Sequence, residues 1–401
     1  MATIEADKML QQISKIFYLS GIWQSDGESK YRKISKKCFY SLFAAWIPIF
    51  FAINAFRCVD RNESVHSAQI AVLTAVEYVK FLYLMYKKQE ILSFLNDPIF
   101  VHSIQNREEY ELANRKIEKL MKFLRPYCLA IFITVFLVIV IKLPIFSADK
   151  GLPFFISFTW NVSEIFYWLA YLIISLSIVL SAVINFITVL VWYIMLNYSI
   201  EYELLGNKLK TLGVSTEKDK NQDKNDKQKK IVEKIQSRKS QIGVQQSKKF
   251  VENLIVLIKA HRNLTETVER FRSCFSTLFL AQITISGIII CVSVYSLAFT
   301  SNRNIVQTEF YFAELLYGFF DIFLVMYLAN DITVMSDRLS YCLFSSNWIE
   351  QTESCKKYVL IMGEMLKQPQ QLVILIYPMN LETFLKIVKG AYSMFNILKS
   401  L

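Results

Sequence analysis

Apolar side chains gather along this chain in runs of about twenty residues, separated by stretches rich in charge. A helix rises ~1.5 Å per residue, so ~20 apolar residues cross the ~30 Å hydrocarbon core of a bilayer. Seven segments meet or approach that length: 38–56, 66–86, 126–146, 165–197, 273–299, 309–336 and 381–401. The seventh is the weakest, because Lys386 and Lys389 interrupt its start and only Gly390 to Leu401 is plainly apolar. It is expected to begin in the cytoplasm and enter the bilayer late. Strand-type alternation is absent, which argues against a membrane barrel. The expected fold is all-α and polytopic, a single seven-helix membrane domain over 1–401.

Charge orients the helices. Of the 45 Lys and Arg, 36 fall in segments 1–37, 87–125, 198–272 and 337–380, and 4 fall in 57–65, 147–164 and 300–308. Basic loops stay on the cytoplasmic side. The N-terminus is therefore expected inside and, after seven crossings, the C-terminus outside. No apolar run begins before Cys38, so the first helix is expected to insert uncleaved. Asn62-Glu-Ser64 is a glycosylation sequon in an outside loop, but Asn263-Leu-Thr265 matches the same pattern inside, so the motif does not discriminate. In the long basic loop 198–272, the centre 215–245 is low-complexity mixed charge and is expected to be disordered. By contrast, 248–271 repeats Val251, Leu254, Ile255 and Ile258 at helical spacing. Spans four to six are expected to project into the cytoplasm there and form a shared base, with 337–380 as an anchor region.

Composition excludes several functions. Hydrophobic residues make up 54% of the chain, with 31 Phe and 21 Tyr. The net charge of +11 sits in loops beside apolar spans, which fits anionic membrane lipid and not nucleic acid. Seven Cys is an odd number, and Cys128, Cys274 and Cys291 lie inside apolar spans, where they read as small buried hydrophobes. His66, His102 and His261 have no His or Cys at ligand spacing. No nucleotide loop or nucleophile turn is present, so no enzyme, cofactor or metal is expected.

Charges inside spans are expensive and mark sites. Glu77 and Lys80 lie three apart and can neutralise each other. Lys142 can snorkel, whereas Asp321 has no sequence-local partner and serves either structural hydrogen bonding or ligand contact. Aromatic and hydroxyl residues suggest a pocket in the outer half of the membrane. The second span offers Thr74, Ala75, Tyr78 and Leu82, and the third Leu137, Ile141 and Pro144. The fourth offers Trp168, Tyr171, Leu172 and Ser175, and the sixth Phe312, Leu316, Tyr317 and Phe320. Such a cavity suits a small, mostly apolar ligand; ordinary helix packing is the alternative. In the last span, Ser393, Asn396 and Ser400 form a polar stripe flanked by Ile397 and Leu401. Several copies around an axis would make a polar pore with apolar constrictions, and close helix packing is the competing account.

The stretch Tyr377-Pro-Met-Asn-Leu-Glu-Thr-Phe-Leu-Lys-Ile-Val-Lys-Gly-Ala-Tyr-Ser-Met-Phe-Asn-Ile-Leu398 resembles the closing signature of insect odorant receptors. His261 through Gln282, Tyr341 through Trp348, and Lys367-Gln-Pro369 agree more loosely. Ala391-Tyr392-Ser393 followed by Met-Phe-Asn-Ile lacks the Gln-Phe ending of the related gustatory receptors. The Lys/Asp/Gln-rich loop departs from the broadly expressed co-receptor, so the resemblance is to a ligand-tuned subunit. It implies an odorant-gated, non-selective cation channel, a heterotetramer with co-receptor subunits in the dendritic plasma membrane of a sensory neuron. It also implies a small volatile ligand among spans two, three, four and six. By position it puts the gate on Ile397 and Leu401, with Ser400 on the pore side. A G-protein-coupled receptor would need the opposite orientation, an Asp/Glu-Arg-Tyr closing span three and an Asn-Pro-x-x-Tyr in span seven, and the sequence shows neither motif. A transporter would show discontinuous helices and an internal repeat.

Overall fold

The structure, a computed structural model, describes residues 2–24, 27–58, 61–96, 106–141, 143, 151–153, 156–157, 163–213, 232–299 and 305–400. Ten helices run α1 Ala2–Leu19, α2 Lys30–Arg57, α3 Arg61–Tyr86, α4 Lys88–Asn96, α5 Arg107–Ile141, α6 Glu164–Lys210, α7 Val232–Phe299, α8 Ile305–Phe344, α9 Glu353–Met365 and α10 Leu381–Ser400 among the described residues. Two hairpins complete the set, β1 Gly151–Leu152 with β2 Ile156–Ser157, and β3 Val373–Ile374 with β4 Tyr377–Pro378.

Among the described residues, six helices, α2, α3, α5, α6, α7 and α8, are long and apolar enough to cross a membrane. The seventh expected span, α10, carries Glu382, Lys386, Lys389 and Lys399 in its 20 residues and falls short of the apolar content of the others. α2 and α5 leave large apolar side chains uncovered, among them Trp46, Ile49, Phe56, Phe132 and Phe136. Lipid is the solvent that makes such a surface tolerable.

Three helices greatly exceed a bilayer. α6 has 47 residues, α7 has 68 and α8 has 40. At ~1.5 Å per residue the longest reaches about 100 Å. The surplus of α6 is buried on every side from Phe186 to Leu196 and on to Leu205, with few interruptions. It is walled by Val268, Phe271, Phe275 and Phe279 of α7 and by Val325, Ala329, Ile332 and Leu339 of α8. A helix apolar all round has to be enclosed by others, and here α7 and α8 enclose it. α7 is continuous from Val232 through the amphipathic 248–271 segment into the fifth span. The expected disordered centre 215–245 is therefore corrected over 232–245, where helix propagates cheaply from an existing helix; 214–231 lie outside the described residues.

Local chemistry sets the ends. α6 ends at Lys210 and a turn carries the chain to Gly213, whose φ of +81° suits a residue without a side chain, and Asn347 N donates to Leu212 O at 3.2 Å. Lys36 bonds Glu28 at 2.7 Å beside the start of α2, and that ammonium holds the Glu28 carboxyl below its usual range. α1 was not foreseen as an element. It packs on α5, Phe17 meets Trp23 at 4.9 Å, and Trp23 Nε1 donates to Leu84 O at 3.1 Å.

The anchor region 337–380 contains α9 and the β3–β4 hairpin. Gln370 donates to Glu269 at 2.5 Å, Glu269 accepts from Arg272 at 2.8 Å, and Arg272 reaches Val373 O at 3.5 Å. The hairpin is thereby fastened to α7. Asn380 caps α10 by accepting from Thr383 N at 2.8 Å. α10 then packs on α7 and α8, with Phe384 lying 5.2 Å from Phe319 and 5.5 Å from Phe323.

Candidate functional site

The site starts from two charges in an apolar helix. Glu77 and Lys80 of α3 stand one turn apart, and the ammonium lies 3.2 Å from Glu77 Oε1. Lys80 is 2% exposed, so its charge needs compensation within the protein. It also donates to Asn185 Oδ1 of α6 at 3.1 Å, and Tyr317 of α8 donates to the same oxygen at 2.8 Å. Asp321, one turn beyond Tyr317 and 1% exposed, presents a second carboxylate to the Lys80 charge. α3, α6 and α8 thus meet in one buried network of two carboxylates and one ammonium. Gln282 of α7 lies beside Asp321. Asp321 Oδ1, Glu77 Oε2 and the side-chain oxygen and nitrogen of Gln282 are buried without a hydrogen bond of normal geometry.

On the α2 side, Glu77 opens into a crevice. It has a volume of about 50 Å³ and is lined by Ala44 and Ile47 of α2, Leu73, Thr74, Glu77, Tyr78 and Phe81 of α3, and Ser177, Ile178, Leu180, Ser181 and Ile184 of α6. Near the beginnings of α3 and α8, Gln69 donates to Glu314 at 2.8 Å, and the Tyr311 hydroxyl meets His66 Nδ1 at 3.0 Å. These bonds tie the two helices together above the crevice. A second hollow of about 640 Å³ opens at the base between α7 and the strand-bearing segment, with His261, Glu269, Arg272, Lys367 and Gln370 on its walls.

The sequence-predicted pocket residues separate into groups. Thr74 and Tyr78 line the crevice, and Tyr317 joins it through the Asn185–Lys80–Glu77 network. Tyr171 lies in another apolar cluster with Phe51, Ile70, Tyr167 and Ile178, and its hydroxyl donates to Ile139 O. Ala75 and Ser175 are half-buried. Phe320 approaches Phe123 at 6.3 Å, within an aromatic group that includes Tyr127 and Trp192. Leu137, Trp168, Leu172, Phe312, Leu316 and part of Phe320 face outward from the chain. Ile141 closes α5, while Lys142 and Pro144 lie outside the described residues.

Sequence reasoning left Glu77, Phe81, Ser177, Ser181, Asn185 and Gln282 out of the pocket. For all of these except Phe81, the signal was present as a polar residue within an apolar run. On α10, Ser393, Asn396 and Ile397 are exposed on the surface of the chain, and Ser400 ends the helix; Leu401 lies outside the described residues.

Comparison with known proteins agrees with this architecture. The chain resembles the insect olfactory receptor OR5 from Machilis hrabei with a TM-score of 0.74 at 15% identity, covering 98% of each chain. The same receptor in complex with eugenol gives a TM-score of 0.70 at 15% identity over 99% of each. At that identity the likeness concerns the fold. Odorant receptor 10 of Aedes albopictus is 25% identical over 41% of this chain and 44% of its own length. For odorant receptor 33b of Drosophila melanogaster the figures are 28%, 37% and 40%, and for odorant receptor 94a of the same fly 27%, 63% and 59%. The chain therefore spans about two fifths to three fifths of these relatives. A family model described as 7tm odorant receptor matches residues 61–392, and the chain belongs to that family, one of receptors and not of enzymes.

Proposed function

We propose that the chain is an odorant-tuned subunit of a ligand-gated, non-selective cation channel, assembled as a tetramer with co-receptor subunits in the plasma membrane. α10 carries the reading. It is too rich in charge to lie alone in lipid, and it holds Ser393, Asn396 and Ile397 on a face its own chain leaves open. Copies of that face around an axis make a polar conduit, with apolar rings at Ile397 and Leu401 that close it by dewetting. The eugenol complex of the structurally similar receptor supports a small volatile ligand held among the helices. The 36-to-4 distribution of Lys and Arg supports a cytoplasmic N-terminus and an extracellular C-terminus.

In this mechanism the ligand binds the open state more tightly, since only differential affinity shifts an equilibrium. Its burial beside α3, α6 and α8 is passed to α10 through the Phe319–Phe384 and Phe323–Phe384 contacts. The test is an odorant panel on cells lacking G-protein signalling, with and without the co-receptor. Odorant-evoked current of millisecond onset is expected with the co-receptor present. Responses that vanish with the G protein refute the channel reading.

A further inference from the structure

We propose that the crevice between α2, α3 and α6 selects ligands carrying a neutral hydrogen-bond donor, an alcohol or phenol, through Glu77 Oε2. This deepens the channel reading above and rests on it.

Three of the polar groups in the crevice act as acceptors, the hydroxyls of Thr74 and Ser177 and the carboxylate of Glu77. Thr74 donates its hydroxyl proton to Ile70 O at 2.8 Å, and Ser177 donates its own to Ile174 O at 2.7 Å. Both hydroxyl protons are therefore committed, and what each oxygen can still do is accept. Glu77 lines the crevice; its Oε1 is taken by Lys80 at 3.2 Å, while its Oε2 is buried with no hydrogen bond. A buried acceptor left unmatched carries a desolvation penalty, and a donor that reaches it removes that penalty. Water can fill this role in the empty site. A ligand that displaces the water without replacing its bond loses affinity.

Charge narrows the class further. A carboxylic acid is repelled by Glu77. A protonated amine would have to shed its hydration in a crevice walled by Ile47, Phe81, Ile178 and Ile184. A neutral hydroxyl meets neither objection. The crevice volume of about 50 Å³ holds a head group and its first carbon atoms, since a single water needs only ~10–15 Å³ of such space. The body then lies along Ile47, Phe81, Ile178 and Ile184 toward the crevice mouth.

The experiment compares 1-hexanol with methyl pentyl ether, and 1-octanol with heptyl methyl ether, on the full chain expressed with the co-receptor. Each pair has equal numbers of heavy atoms and differs in the donor. In the wild type the alcohol is expected to act at about tenfold to a hundredfold lower concentration than its ether. Glu77→Gln is the informative variant. Lys80 holds the amide oxygen, so the amide NH₂ points into the crevice and an acceptor becomes a donor. The alcohol advantage should then disappear and 2-octanone should gain potency. Wild-type potencies within about threefold of each other, or a Glu77→Gln receptor at normal surface level that keeps the alcohol advantage, overturn the proposal. If Glu77→Gln fails to reach the surface, the wild-type alcohol-to-ether ratio decides alone. Currents without donor preference refute this inference only, whereas silence toward a broad odorant panel at normal surface level refutes the channel reading as well.

Discussion

Lys80 offers the sharpest test of the buried network. Lys80→Met keeps most of the side-chain volume and removes the charge, leaving Glu77 and Asp321 without their shared counter-ion. At the observed 3.2 Å and an effective dielectric of ~20, the Lys80–Glu77 attraction is about 5 kcal/mol. The lost bond to Asn185 adds about 1 kcal/mol, and protonation of a carboxylate or entry of water recovers part of the sum. The expected loss is about 3–5 kcal/mol, the usual cost of removing one partner of a buried pair. Glu77→Gln is expected to cost only about 1–2 kcal/mol, because Lys80 still faces Asp321. The triple variant Lys80→Met, Glu77→Gln, Asp321→Asn should recover most of the loss, since no charge remains to compensate. Surface biotinylation and detergent-solubilised thermal unfolding read the three variants. A Lys80→Met protein as abundant and heat-stable as wild type, or a triple variant no better than the single one, refutes the argument.

Further outcomes follow from other positions. Tyr317→Phe removes the 2.8 Å bond to Asn185 and is expected to cost about 1–2 kcal/mol in thermal unfolding. Gly213→Ala places a Cβ 3.1 Å from the Phe250 ring at a φ of +81°, and should lower stability by about 1–2 kcal/mol through the left-handed backbone penalty. Gly318→Val forces side-chain atoms into Ile289, 3.2 Å from a Cβ at that position, and should reduce surface expression by separating α7 from α8. Ile397→Ser should raise ligand-free current if the apolar ring closes the pore; a silent baseline at normal surface level argues against a gate there.

Spans were legible because ~20-residue apolar runs have few other uses. The Glu77–Lys80 pair was legible because three residues along a helix is contact distance. Asp321's place beside Lys80 was not, since α3 and α8 meet only through tertiary packing far along the chain. The pocket faces suffered from a different problem. In a soluble protein the polar side of a helix identifies its buried side, but in lipid both sides are apolar. Trp168, Leu172, Phe312 and Leu316 therefore matched the pattern of Tyr78 and Tyr317 while facing outward. Polar residues within apolar runs, such as Asn185 and Gln282, were the better guide, because lipid does not accept them. The helix over 248–271 was legible from its apolar spacing, whereas its extension back to Val232 was hidden by a mixed-charge stretch that reads as loop when apolar runs alone define helices.

The three buried charges also constrain how this receptor's descendants can diverge. Crevice residues such as Thr74 and Ser177 can be exchanged singly, retuning ligand preference at modest cost. Lys80 cannot be lost before its carboxylates without passing through a poorly folded intermediate. Change at Glu77, Lys80 and Asp321 should therefore be ordered, with a carboxylate neutralised first. Sister genes should preserve the pattern as a block or abandon it as a block, while the walls around it vary freely.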